Sequence, residues 1–127
     1  MHCRDAFEDF FTIIHHYPTL RGVIHCFSGS RQDIRIATEQ NLHIGLDGNL
    51  TFSPYLQSLV PHIPLSHLLL ETDAPYLTPI PNRGKRNEPK YIPLIGTCIA
   101  TLLKSTSDAI ATQTTMNARA LFRIPTL

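Results

Sequence analysis

Leu68-Leu69-Leu70-Glu71-Thr72-Asp73-Ala74-Pro75 is an apolar run of three leucines that ends abruptly in two carboxylates and a proline. A short continuous apolar stretch, stopped by a turn signal, is the pattern of a strand buried on both faces. Two upstream segments share it. Gly22-Val23-Ile24-His25-Cys26-Phe27 is bounded by Gly22 and by Ser28-Gly29-Ser30, and Leu42 to Gly48 runs into a Gly/Asn turn. Between and around them the apolar spacing switches to a helical period. It does so over Ala6–Tyr17 (Phe7, Phe10, Phe11, Ile13, Ile14), Gln32–Gln40, Pro54–Val60, Ile95–Leu103 and Thr114–Phe122. Strands alternating with helices, with nearly unbroken apolar strands, predict a parallel sheet covered by helices.

The chain has 127 residues, with 43% hydrophobic and 17% charged residues and a formal net charge of +1. That is the composition of one globular domain. No long-range field draws it to nucleic acid or anionic lipid, so such affinity must reside in a local patch. Three cysteines, Cys3, Cys26 and Cys98, with no close pairing, predict reduced thiols and a cytoplasmic setting. No window reaches the run of about 18 apolar residues that spans a bilayer. Charge and histidine in Met1-His2-Cys3-Arg4-Asp5 break any secretory h-region. A soluble intracellular protein without a membrane partner is the expectation.

Chemistry-bearing residues gather at the expected strand ends. His2 opens the chain, His25 lies near the end of one strand, and Asp73 terminates another. In parallel α/β folds the carboxyl ends of strands collect ligands and catalytic groups. Imidazole nitrogen and carboxylate oxygen suit divalent zinc, manganese or similar ions. Each residue also has a plain structural reading: a core histidine, a frayed terminus, an Asx turn before Ala74-Pro75. No local metal signature separates the two. Residues 74–92 form a long Pro-rich loop in which Arg83, Lys85, Arg86 and Lys90 fall within nine residues, flanked by Tyr76 and Tyr91. Such loops are more often functional than idle. Arg and Lys suit phosphate oxygens, and tyrosine rings stack on bases.

Four stretches in order carry a resemblance. They are Met1-His2-Cys3-Arg4-Asp5-Ala6, Gly22 to Gly29, Leu70-Glu71-Thr72-Asp73-Ala74-Pro75-Tyr76-Leu77-Thr78-Pro79, and Arg83-Gly84-Lys85-Arg86-Asn87-Glu88-Pro89. Together they resemble the TatD family of metal-dependent deoxyribonucleases, among the amidohydrolase-type TIM barrels. The resemblance implies the C-terminal half of a (β/α)8 barrel, roughly strands five to eight, over residues 1–127. It implies His2, His25 and Asp73 as ligands of one or two divalent ions (Mg2+, Mn2+ or Zn2+). Asp73 would also orient or deprotonate the attacking water, and Arg83, Lys85 and Arg86 would face DNA, single-stranded or at frayed ends.

The family's His-x-His pair and its glutamate in a Gly-Glu-x-Gly-Leu-Asp segment have no counterpart. A TIM barrel takes about 250 residues. The implied half barrel would have open edges and would self-associate or rely on a missing N-terminal half. It would be a fragment, a truncated product or a piece of a split gene. Exonuclease-like hydrolysis of DNA is the leading expectation. The alternatives are an inactive fragment with residual DNA binding and a hydrolase of another substrate on the same barrel. Strand alternation also predicts a Glu71–Arg4 ion pair beneath the metal, with Cys3 and Cys26 turned away as packing residues.

Overall fold

A computed structural model describes residues 1–125. Its order is α1 (Phe7–His15), β1 (Gly22–Ile24), α2 (Arg31–Glu39), β2 (Leu42–Leu46), α3 (Pro54–Leu59), β3 (Leu68–Leu70), α4 (Ile92–Leu102) and α5 (Ser107–Phe122), with single 3₁₀ turns between. The three strands form a parallel sheet in the order β1-β2-β3. Gly22 pairs with Leu42 and Ile24 with Ile44, while Ile44 pairs with Leu68 and Leu46 with Leu70. The first residues extend this ladder beyond β1 through a parallel bridge between His2 and His25. The Met1 ammonium donates to the Val23 carbonyl at 2.8 Å, and His25 N–H donates to the Met1 carbonyl at 2.9 Å.

The period of two along each strand sorts the side chains. Ile24, Ile44, Leu46 and Leu68 are buried at 2% exposure or less, packed with Ile34, Ile95, Ile99 and Ile110 from the helices. Each such side chain contributes about 1.5–3 kcal/mol by leaving water. The opposite face carries Val23, His25, Gly45, Asp47, Glu71 and Asp73, and it is the polar one. α2 and α5 start at side-chain caps. The Ser30–Asp33 capping box opens α2, and the Thr106 hydroxyl accepts from Ala109 N–H to open α5.

The parallel α/β fold expected from sequence holds, with five differences in its boundaries and contacts. β1 stops at Ile24, short of Phe27, because Cys26 takes a left-handed φ of 49°. β3 stops at Leu70, and Asp73 again turns left-handed at φ 53°. α4 begins three residues early at Ile92, since Pro93 suits a first helical turn. α5 begins seven residues early at Ser107, where the Thr106 cap outweighs the weak periodicity of its first turns. Finally, Arg4 is exposed and Glu71 pairs with His25 instead. The nearer group won, since His25 stands on the strand end that the carboxylate reaches.

At the other end of the sheet, His43 is 8% exposed, with Nδ1 lacking a partner, and its ring lies 5.5 Å from that of His67. Burial, then His67 and Arg21, hold the His43 imidazole below its ordinary value. Protonation is therefore favoured in the unfolded chain. The stability from neutral His43 is present above the unfolded value of about 6.5 and is lost as pH falls through it and on through the folded value. Melting temperature followed from about pH 8 to about pH 5 should fall, and His43→Gln should flatten that fall. Identical profiles would remove His43 as the cause.

Candidate metal centre

Glu71 is the first residue past β3, and its N–H still donates to the Leu46 carbonyl at 3.0 Å. Its carboxylate reaches back across the sheet. One oxygen accepts from Cys26 N–H, and the other lies 3.4 Å from His25 Nδ1. The room for it is made by Gly45. A Cβ there would stand 2.7 Å from Glu71 Oε1 and 3.2 Å from Val23 Cγ2. Burial pushes the Glu71 carboxyl up, and Cys26 N–H and His25 oppose that rise.

The contact fixes what His25 can do. With Nδ1 turned to the Glu71 carboxylate, the contact favours the tautomer with the proton on that nitrogen, which leaves the Nε2 lone pair facing outward. Nε2 stands 3.2 Å from His2 Nδ1, with ring centroids 5.3 Å apart. Two nitrogens bound tetrahedrally to one zinc at 2.0–2.1 Å would sit about 3.3 Å apart. The donor chemistry and the spacing therefore fit a divalent ion held between His2 and His25.

Asp73 stands past the end of β3, across β2 from the histidines, and is close enough to raise both Cys26 and Asp47 electrostatically. Yet among the described residues no three His, Cys, Asp or Glu side chains converge on one ion position. The structure brings His2 and His25 together and leaves Asp73 beside them rather than closed onto them.

Cys26 differs from the expectation. Its left-handed φ interrupts the alternation, and its thiol turns inward beside the Asp47 carboxylate. Burial first, then Asp47, push that thiol up to about 12, so it stays protonated near neutral pH. Cys3 packs in the core as expected, at 5% exposure.

The basic loop folds over the same end of the sheet. Asn87 is 2% exposed, and its amide donates to the carbonyls of Thr72 and Tyr76, each at 2.6 Å. Those two bonds tie the end of the loop to the turn that carries Asp73. Gly48 supplies a second contact, since a Cβ there would overlap the Leu77 carbonyl at 1.9 Å. Arg83 lies 3.6 Å over the Phe52 ring. Lys90 is paired with Glu88 at 3.0 Å, whereas Lys85 and Arg86 are exposed and in no ion pair among the described residues. Two contributors escaped the sequence reading. Asp47 was signalled by its period-two spacing from Gly45, and Asn87 by its place in Arg-Asn-Glu-Pro.

Comparison with known proteins agrees with this fold. The family model described as TatD related DNase matches residues 1–123. An uncharacterized metal-dependent hydrolase of Bacillus subtilis, YabD, is 42% identical over 98% of this chain and 50% of its own length. A 3'-5' ssDNA/RNA exonuclease TatD of Erwinia amylovora is 42% identical over 96% of this chain and 51% of its own. The crystal structure of the TatD homologue YJJV from Escherichia coli superposes with a TM-score of 0.89 at 28% identity, covering 98% of this chain and 49% of that one. A TatD family hydrolase from Entamoeba histolytica shares the fold, with a TM-score of 0.82 at 23% identity over 94% of this chain and 48% of its own. The chain thus spans about half the length of the relatives it matches. With its parallel strands, its facing histidines and a family match over nearly every residue, the chain belongs to the TatD-related DNase family.

Proposed function

We propose that this chain carries the C-terminal strands, five to eight, of a metal-dependent nuclease that hydrolyses DNA phosphodiester bonds in exonuclease fashion. The observation that carries the reading is the facing of His2 Nδ1 and His25 Nε2 at 3.2 Å, with Glu71 behind His25. The relatives named as 3'-5' ssDNA/RNA exonucleases support a single-stranded substrate. The name metal-dependent hydrolase supports a divalent ion, which we take to be Mg2+ or Mn2+ with Zn2+ as a further candidate. Among the described residues no helix is long and apolar enough to cross a membrane. A cytoplasmic setting is consistent with the three free cysteines.

When bound, the ion supplies Lewis-acid charge and lowers the pKa of a coordinated water. The protein's own groups divide the rest. His2 and His25 hold the ion, and Glu71 keeps His25 in the tautomer that can do so. Asp73 orients the attacking water and accepts its proton. Lys85 and Arg86, with Arg83 braced on Phe52, hold the phosphate backbone. Tyr76, 71% exposed beside this loop, offers a ring on which a terminal base stacks.

The test is nucleotide release from single-stranded DNA by the chain with Mg2+ or Mn2+. Release that a chelator abolishes, and that Asp73→Asn lowers by about 100-fold or more, is expected. Release that survives the chelator or the substitution would refute the site. The loop is tested separately. Lys85→Ala and Arg86→Ala should each make the dependence of log affinity on log salt shallower by about 0.7 for a single strand. An unchanged slope would remove that residue from the phosphate contacts.

A further inference from the structure

Asp47 is the polar group on the inner face that the reading above does not use. It follows Leu46 at the end of β2, two residues past Gly45, so it projects to the same side as Glu71 and His25. Only 1% of it is exposed. Oδ1 accepts from Asn49 N–H at 2.9 Å, which caps the following 3₁₀ turn. Oδ2 is buried and has no hydrogen-bond partner. The groups facing this carboxylate are the Cys26 thiol, Asp73 and His25.

A buried carboxylate oxygen without a partner carries the full cost of desolvation. Such exceptions are rare and call for a cause, an ion being one. The neighbours sharpen the choice. Asp73 is a second carboxylate facing this oxygen, which makes it costlier still, and the Cys26 thiol beside it is a weak donor that supplies no positive charge. Arg4 is exposed, and the loop cations lie on the rim. What would satisfy Oδ2, relieve its repulsion with Asp73 and remain within reach of His25 is a divalent cation.

We propose that Asp47 is a further cation-binding carboxylate of this site, standing between His25 and Asp73 and setting how tightly the ion is held. The proposal rests on the metal-site reading above. It gives the ion a buried oxygen donor beside the two histidines, reached by a shift of side chains, since among the described residues no three such groups converge on one position in the metal-free chain. Asp47 is thereby costly to the empty protein and useful to the loaded one.

The experiment measures Mn2+ binding by calorimetry, and melting temperature with and without Mn2+, on the wild-type chain and on Asp47→Asn. Asparagine keeps an oxygen for Asn49 N–H, so the cap and the fold are retained. The expected result is Mn2+ affinity lower by about 10-fold or more, in the range lost with outer-shell partners. The melting temperature of the metal-free variant should equal or exceed that of wild type, while its rise on adding Mn2+ shrinks. Asp47→Ser, which also caps, should behave the same way.

Wild-type binding with an unchanged affinity in Asp47→Asn would overturn the proposal alone and leave Asp47 a turn cap. So would a metal-free variant less stable than wild type with affinity intact. No Mn2+ binding by the wild-type chain, with its fold confirmed by circular dichroism, would overturn the site reading and this proposal together.

Discussion

The rest of the site depends on one half-buried carboxylate. Glu71 leaves β3, crosses the glycine at position 45 and ends between Cys26 N–H and His25 Nδ1. Burying a carboxylate is expensive unless donors meet it. Two donors from the end of β1 meet this one, so the loop after β1 and the turn after β3 are held to each other through a side chain rather than through the ladder. The same contact turns His25 Nδ1 to a carboxylate and leaves Nε2 on the side of His2. Packing and ring orientation therefore meet at one place.

Around that point the mouth of the sheet is built by close approach. Gly48 lets the turn after β2 meet the backbone at Leu77, and Asn87 ties the basic loop to the residues flanking Asp73. The loop's cations are thus carried on a backbone anchored to the site, which gives Lys85 and Arg86 a fixed relation to the histidines. Arg83 has spent part of its freedom on Phe52. Left-handed backbone at Cys26 and Asp73 belongs to the same construction. Each marks where a strand must end so that its last side chain turns into the mouth.

Much of this was legible in the sequence. Apolar runs at Val23-Ile24, Leu42–Leu46 and Leu68–Leu70, bounded by turn signals and alternating with helical periods, announce a parallel sheet. His2, His25 and Asp73 stand out in the sequence because chemistry in such folds sits at strand ends, and the structure brings the first two face to face. What escaped was set by contacts that no local pattern encodes. Glu71 pairs with His25 rather than Arg4 because the left-handed turn at Cys26 brings the end of β1 under the carboxylate, which strict alternation does not foresee. The same turn brings the Cys26 thiol inward. By its pattern Asp47 belongs to the strand that runs into a Gly/Asn turn; it caps that turn through one oxygen, and its other oxygen is buried without a hydrogen-bond partner. Ser107–Gln113 lacks a strong apolar stripe, so the sequence pattern shows α5 only from Thr114, while the Thr106 cap starts the helix at Ser107.

The central claim is that Glu71 holds His25 with its proton on Nδ1, so that Nε2 is free to ligate. Histidine tautomers are read directly from nitrogen chemical shifts and long-range nitrogen–proton couplings in the metal-free chain near neutral pH. The account predicts the Nδ1–H tautomer for His25 in the wild type and a mixture, or the Nε2–H form, in Glu71→Gln. An Nε2–H tautomer in the wild type, or a tautomer indifferent to Glu71→Gln, would contradict it.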